Sequence, residues 1–366
     1  FAEKALREGV IKSRGERGTV VVIHAKTGAV LAMANYPDYD PNRYQRYTRE
    51  RQLNYAVTAG YEPGSTFKMI TVAAGLNEGL ISSDQEFFCE EGEYRIGNNL
   101  IRDSSPQGVL TLEQVLKKSS NICAAKIGMS IPPSRFYDYI MLFGFGQRPN
   151  SGIAAEASGR VISPKKWKTI DHAAISFGQA ILVSPLQMVS AANVFANQGE
   201  WIQPYILDHV RDKKGKVIKE IKDNDGRLIQ KFGAGIRSRV VDASVSELIK
   251  EYLISVTQPG GTAELAAIKG YQVAGKTGTS QIFDHQLGRY SKTRYIASFV
   301  GFAPASDPLV TVLVIVEQPQ TSYYGGTVAA PIFNEIVHRT LLFKDVLPLP
   351  DESYSEIPAH QSTASR

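Results

Sequence analysis

Hydrophobic and polar positions fall into distinct textures along the chain. Residues 2 to about 12 (AEKALREGVIK) have helical composition and stop at a polar, Gly-containing break. Two apolar runs, Thr19–His24 and Ala29–Asn35, then flank Ala25-Lys26-Thr27-Gly28, the pattern of a β-hairpin turned at the glycine. Residues 36–54 are polar and Pro-containing and read as loop. After Pro63-Gly64, Ser65 is a good helix N-cap, with apolar residues to Leu76 and a stop at Gly79. Residues 84–106 read as irregular or short-strand structure. Thr111-x-x-Gln114 matches a capping box opening a helix to about Lys118. Ser119-Ser120-Asn121 interrupts it, and a second helix runs to about Met129.

Residues 135–200 have a helical texture, clearest where Ser184 caps, Pro185 takes the first turn and Gly199 closes. Residues 206–232 alternate and are turn-rich, as in an exposed hairpin excursion. Residues 242–257 read as an amphipathic helix. YQVAGKTGTSQ, RYIASFVGFAPA and PLVTVLVIVEQPQ then predict three strands in an antiparallel meander, and APIFNEIVHRTLLF a closing helix. Strands at both ends with helices between predict an α+β fold. One antiparallel sheet joins the N-terminal hairpin to the C-terminal meander, covered by helices, with a large helical insertion. The polar tail 346–366 reads as disordered.

Composition adds exclusions. A hydrophobic share of 43% and a charged share of 21% are ordinary globular values. The net charge of +5 over 366 residues gives little support for nucleic-acid binding. The longest apolar stretch, Leu309–Val316, is too short to span a membrane. The chain begins at Phe1 and not at Met, which suggests a piece of a longer protein. The spacing of Cys89 and Cys123 leaves both a free thiol and a pairing open. The six histidines show no H-x₃-H or H-E-x-x-H spacing, so no metal and no cofactor is expected.

Three elements carry chemistry by context: Ser65-Thr66-Phe67-Lys68, Ser119-Ser120-Asn121 and Lys276-Thr277-Gly278-Thr279. A Ser at a helix start with Lys three residues on shares one helical face. A Lys stripped of its proton by burial and by a second cation can deprotonate that hydroxyl. Lys276 can be the second cation, and the bare backbone of Gly278 would let a substrate strand lie alongside. Ser163-Pro164-Lys165-Lys166 repeats the first spacing in solvated text and reads as a plain helix cap. Lys26-Thr27-Gly28 repeats the third in a hairpin turn.

In this order, EPGSTFK, SSN and KTGTS resemble the three active-site motifs of penicillin-binding proteins and serine β-lactamases. RGTVVVIHAKTGAVLAMANYPDYDPN, GQAILVSPLQMVSAANVFANQGEWIQP and YYGGTVAAPIFNEI narrow the resemblance to class B penicillin-binding proteins, most like the division-specific septal transpeptidases. It covers about residues 17–345. It implies a transpeptidase domain over 19–345 and makes residues 1–18 the remnant of a pedestal. Ser65 becomes the acylated nucleophile and Lys68 its base, with Ser119 a proton relay. Asn121 would hold the peptide, Lys276 would support the electrostatics of catalysis, Thr277 and Thr279 would bind the terminal carboxylate, and Gly278 would lie against the bound substrate. Backbone N–H groups of Ser65 and Thr279 would form the oxyanion hole, and Tyr324 would border the cleft.

The implied partners are D-Ala-D-Ala stem peptides, lipid-linked precursor strands, β-lactams, a SEDS-type glycosyltransferase and divisome proteins. The implied location is the outer side of the bacterial cytoplasmic membrane at the septum, through an anchor outside this chain. Ser120 stands where class A β-lactamases carry Asp, and neither Glu156 nor Glu200 sits where a deacylating base is expected. A β-lactamase, a β-lactam-sensing domain, and an elongation or sporulation transpeptidase are the alternatives. His172 and His338 read as packed or capping residues.

Overall fold

In the computed structural model, which describes residues 1–284 and 288–349, the terminal apolar runs meet in one sheet. β1 (Arg17–His24) and β2 (Val30–Tyr36) form the expected hairpin, and Gly28 takes φ +77° in its turn. β13 (Ala274–Asp284), β14 (Arg289–Ala303) and β15 (Val310–Glu317) form the meander. The five strands are antiparallel neighbours in the order β13-β14-β15-β1-β2, with β1 pairing β15 from Arg17↔Glu317 to His24↔Val310. The strands are nearly continuous in apolar residues because both faces are covered. Val20, Val22, Val312 and Val314 pack under α1 (Ala2–Ser13) and α11 (Gly325–Phe343). Val21, Ile23, Leu313 and Ile315 face the central helices. Thr311, the one polar residue in that run, is buried and donates to Asn193 Oδ1 at 2.6 Å.

The chain between these ends is the helical insertion. The region read as loop holds two short helices, α2 (Arg49–Gln52) and α3 (Tyr55–Thr58). α4 (Lys68–Asn77) runs through the core and ends at Gly79 as expected. Four short strands follow: β3 (Glu86–Phe88), β4 (Glu93–Ile96), β5 (Asn99–Arg102) and β6 (Val109–Thr111). α5 (Leu112–Lys118) opens with the predicted Thr111/Gln114 capping box, and α6 (Asn121–Ser130) follows the Ser119-Ser120 break.

α7 (Pro133–Leu142), α8 (Thr169–Ile175) and α9 (Pro185–Asn193) account for the helical texture. Between α7 and α8 that texture fails, because Gly144, Gly146, Gly152 and Gly159 all take positive φ. α9 carries its Ser184/Gln187 capping box but stops at Asn193, leaving turns to Gly199. β7 (Glu200–Ile202) pairs with β12 (Arg237–Arg239). The expected excursion between them is two small hairpins: β8 (Val210–Arg211) with β9 (Val217–Ile218), and β10 (Glu220–Lys222) with β11 (Leu228–Lys231). α10 (Ala243–Ser255) precedes the meander.

Of the tail, Val346 O accepts from Tyr271 Oη at 2.6 Å and Leu349 N donates to Gly270 O at 2.7 Å. Residues 350–366 lie outside the described residues. Among the described residues, no helix is long and apolar enough to cross a membrane.

Candidate active site

The Ser65 turn is built by close backbone approach. A 3₁₀ turn over Gly64–Phe67 leads directly into α4, so Ser65 lies within the first turn and Pro63 occupies the cap position. The sequence reading placed Ser65 itself at the N-cap. The shift arises because Gly64, at φ +55°, starts the turn one residue earlier. Gly64 N donates to Gly178 O at 3.0 Å, and a side chain on Gly178 would collide with Gly64 O. Ser65 is half-buried and Lys68, one turn on, is fully buried.

Two lysines from opposite walls converge on one hydroxyl. Ser119 caps α5 in the left-handed region (φ 63°, ψ 41°), a conformation rare for a residue other than glycine. Lys68 Nζ donates to Ser119 O and, at 3.2 Å, to Ser119 Oγ. Lys276 Nζ donates to the same Oγ at 2.9 Å and to Thr277 O and Oγ1 at 3.3 Å each. Burial lowers the Lys68 pKa to about 7, against the opposing pull of the Asp103 charge. Burial first, and the charge of Lys68 second, push Lys276 well below its ordinary value. Two unpaired ammonium groups are costly in a dry site, and shedding a proton removes that cost. Lys68 follows Ser65 by three residues at the junction of the turn and α4, and its hydrogen bonds run to Ser119.

Sequence reasoning missed Asp103. Its carboxylate accepts from Ser120 Oγ (2.6 Å), Asn121 N (2.5 Å) and Ile122 N (3.1 Å). It therefore satisfies the first free N–H groups of α6 and lies where its charge is felt at Lys68. Asn121 Nδ2 spends one of its two hydrogens on Arg102 O at 2.7 Å. Cys89 and Cys123 are joined as a disulfide, with Cα atoms 5.3 Å apart. This overturns the free-thiol reading, and it ties α6 to the β3–β6 region that carries Asp103.

β13 forms the other wall at the free edge of the sheet. Thr277 Oγ1 lies 3.0 Å from Thr262 Oγ1, and Thr279 Oγ1 accepts from Gly325 N at 3.3 Å. The bareness of Gly278 has a packing reason that the sequence reading lacked. A side chain there would collide with Ser298 Oγ and press on Pro63 O at 3.0 Å, so glycine seats β13 against the Ser65 turn. Tyr324 caps α11 beside Thr279 and is exposed. Its ring packs on Tyr323, which stacks on Tyr295 with centroids 4.6 Å apart.

The profile of the penicillin binding protein transpeptidase domain matches residues 18–338. This chain belongs to that family. A probable peptidoglycan D,D-transpeptidase PenA of Neisseria flavescens is 33% identical over 95% of this chain and 81% of its own length. The peptidoglycan D,D-transpeptidase FtsI of Escherichia coli K12 is 34% identical over 94% of this chain, and the match spans 54% of that protein. The transpeptidase domain of Burkholderia pseudomallei penicillin-binding protein 3 superposes with a TM-score of 0.80 at 32% identity, covering 95% of both chains. Penicillin-binding protein 3 of Mycobacterium tuberculosis, solved with aztreonam, gives 0.83 at 30% identity over 95% of this chain and 78% of that one.

The remaining candidates of this penicillin-binding domain are structural. Glu156 is buried and accepts from Asn150 N (2.6 Å), Ser151 N (2.8 Å) and Ser151 Oγ. Glu200 pairs with Arg237 and Arg239. Ser163 precedes a 3₁₀ turn and Lys26-Thr27-Gly28 stays in its hairpin turn. His172 is buried between Phe136 and Trp167, whereas His338 is exposed on α11 and lies before the helix's last turn, contrary to its sequence reading as packed or capping.

Proposed function

We propose that this domain is the catalytic part of a peptidoglycan D,D-transpeptidase that works through a serine acyl-enzyme. The observation that carries the reading is a fully buried lysine with a pKa near 7, one turn after a half-buried serine and joined through Ser119 to a second buried lysine. Neutral Lys68 takes the Ser65 hydroxyl proton as Oγ attacks the carbonyl between the two D-alanines. The oxyanion is held by the backbone N–H groups of Ser65 and Thr279. Ser119, bonded to both lysines, returns the proton to the departing D-Ala amine. An amine of a neighbouring stem peptide then displaces Ser65 Oγ and forms the cross-link.

Asn121 has one amide hydrogen left for the substrate. Lys276, Thr277 and Thr279 receive the terminal carboxylate, and Tyr324 borders the cleft. Every group used is a side chain or backbone of the chain, and no cofactor enters the reaction. A β-lactam enters as a D-Ala-D-Ala mimic and stays on Ser65, because neither Glu156 nor Glu200 is placed to activate water. That disfavours the β-lactamase reading.

The septal role, the membrane anchor, the glycosyltransferase and divisome partners, and the choice over elongation, sporulation or sensing rest on the likeness to FtsI, of which the chain spans about half. Labelling with a fluorescent penicillin, followed by peptide mapping, tests the chemistry. A long-lived adduct on Ser65 that is lost in Ser65→Ala is expected. Fast drug turnover, or an adduct that survives the substitution, would overturn it.

A further inference from the structure

One loop touches both walls of the cleft. It is the Gly-containing link after α10, residues 258–262. On the sheet side, its Thr262 Oγ1 meets Thr277 Oγ1, next to Lys276. On the helix side, Lys118 Nζ donates to Gly260 O at 3.0 Å. Lys118 is the last residue of α5 and immediately precedes Ser119. Its side chain is exposed and makes no ion pair among the described residues.

The loop is a firm reference point. Gly260 takes φ +75°, and its N–H donates to Glu264 Oε1 at 2.7 Å. Gly261 N donates to Gln258 O at 2.9 Å, and a side chain on Gly261 would collide with Val256 O. Thr257 Oγ1, just before the loop, donates to Val273 O at 2.8 Å, beside the start of β13. The first turn of α11 closes against the loop, so that a side chain on Gly326 would collide with Thr262 O. Ser119 is less secure, because its left-handed backbone persists only where its surroundings hold it. Its Oγ lies 3.2 Å from Lys68 Nζ and 2.9 Å from Lys276 Nζ. A movement of about 1 Å away from either lysine breaks that bond.

We propose that Lys118 is a positioning residue for acylation: by bonding from the Ser119 wall to Gly260, it holds Ser119 Oγ within reach of both Lys68 and Lys276. Lys118 acts through Ser119. A charged donor makes the stronger kind of hydrogen bond, so one contact suffices to hold the end of a short helix. Because Thr262 meets Thr277 from the same loop, the spacing of Ser119 and Lys276 is set over one short path through residues 258–262. This rests on the transpeptidase reading, in which Ser119 relays the proton.

The test separates two steps of the reaction with a fluorescent penicillin by stopped flow: reversible binding, and the limiting rate of bond formation at Ser65. Lys118→Met keeps the length of the side chain and removes the donor. It is expected to lower the limiting rate about tenfold and leave the binding constant unchanged. Lys118→Arg keeps a cationic donor and should recover most of the rate. Lys117→Met removes the same charge one residue earlier and should leave the limiting rate unchanged. An unchanged limiting rate in Lys118→Met, or an equal loss in Lys117→Met, would overturn the assignment while leaving the acyl-enzyme standing. So would a loss confined to binding and erased by salt, the mark of a cation that only attracts the carboxylate of the drug. Absence of any adduct on Ser65 in the unmodified protein would instead overturn the transpeptidase reading.

Discussion

The two walls of the cleft are held by different means. β13 is fixed by a ladder of ten registered pairs with β14, and through it by the whole sheet. The Ser119–Asn121 turn has no such ladder. It hangs between two short helices and is held by individual contacts: the three hydrogen bonds to Asp103, the bond from Asn121 to Arg102 O, the two lysines on Ser119 and the Cys89–Cys123 bond. A wall built on repeated backbone pairing tolerates the loss of any one contact. A wall built on a few specific contacts does not, so substitutions remote from the substrate should matter most on the Ser119 side.

The largest effect follows from removing the disulfide. Its partners are 34 residues apart, and closing a loop of that length stabilises by about 3–4 kcal/mol. Cys89→Ser/Cys123→Ser should lose that much in denaturant titration and should slow acylation in the folded fraction. An unchanged midpoint would break the contrast between the walls.

Asp103→Asn comes next. It removes a charged acceptor of buried N–H groups, worth roughly 1–3 kcal/mol, and should lower the acylation rate about tenfold or more. Because the Asp103 charge raises the Lys68 pKa, the same change should move the acid limb of the pH–rate profile to lower pH.

On the sheet side, Gly278→Ala should cost about 1–3 kcal/mol through overpacking against Ser298 and Pro63, read as a fall in Tm. The smallest effect is expected for Thr262→Val, which removes one hydroxyl contact to Thr277 and should change acylation by under tenfold.

The same contrast governs what could be read from the sequence. The sheet wall was legible because strands repeat: apolar runs at both ends, a Gly turn at 28 and a meander with short links place Lys276–Thr279 on an edge. Ser65, Lys68 and Ser119 were legible because a helix face and a broken helix leave local marks. The exact start of the Ser65 turn was not, since it depends on Gly64 meeting Gly178, more than a hundred residues away. Asp103 and the Cys89–Cys123 pairing left no mark either. Each is an ordinary residue in irregular text, and its role comes from a long-range contact that no local period encodes.

The central claim is that burial makes Lys68 a base at neutral pH, and the pH dependence of acylation tests it most directly. The folded pKa lies below the ordinary lysine value, so the neutral, competent form appears as pH rises through about 7. The second-order rate of penicillin acylation at Ser65 should rise between pH 6 and 8 with its midpoint near 7. A midpoint near 10, the range of an unperturbed lysine, or a profile flat from pH 5 to 9, would contradict it.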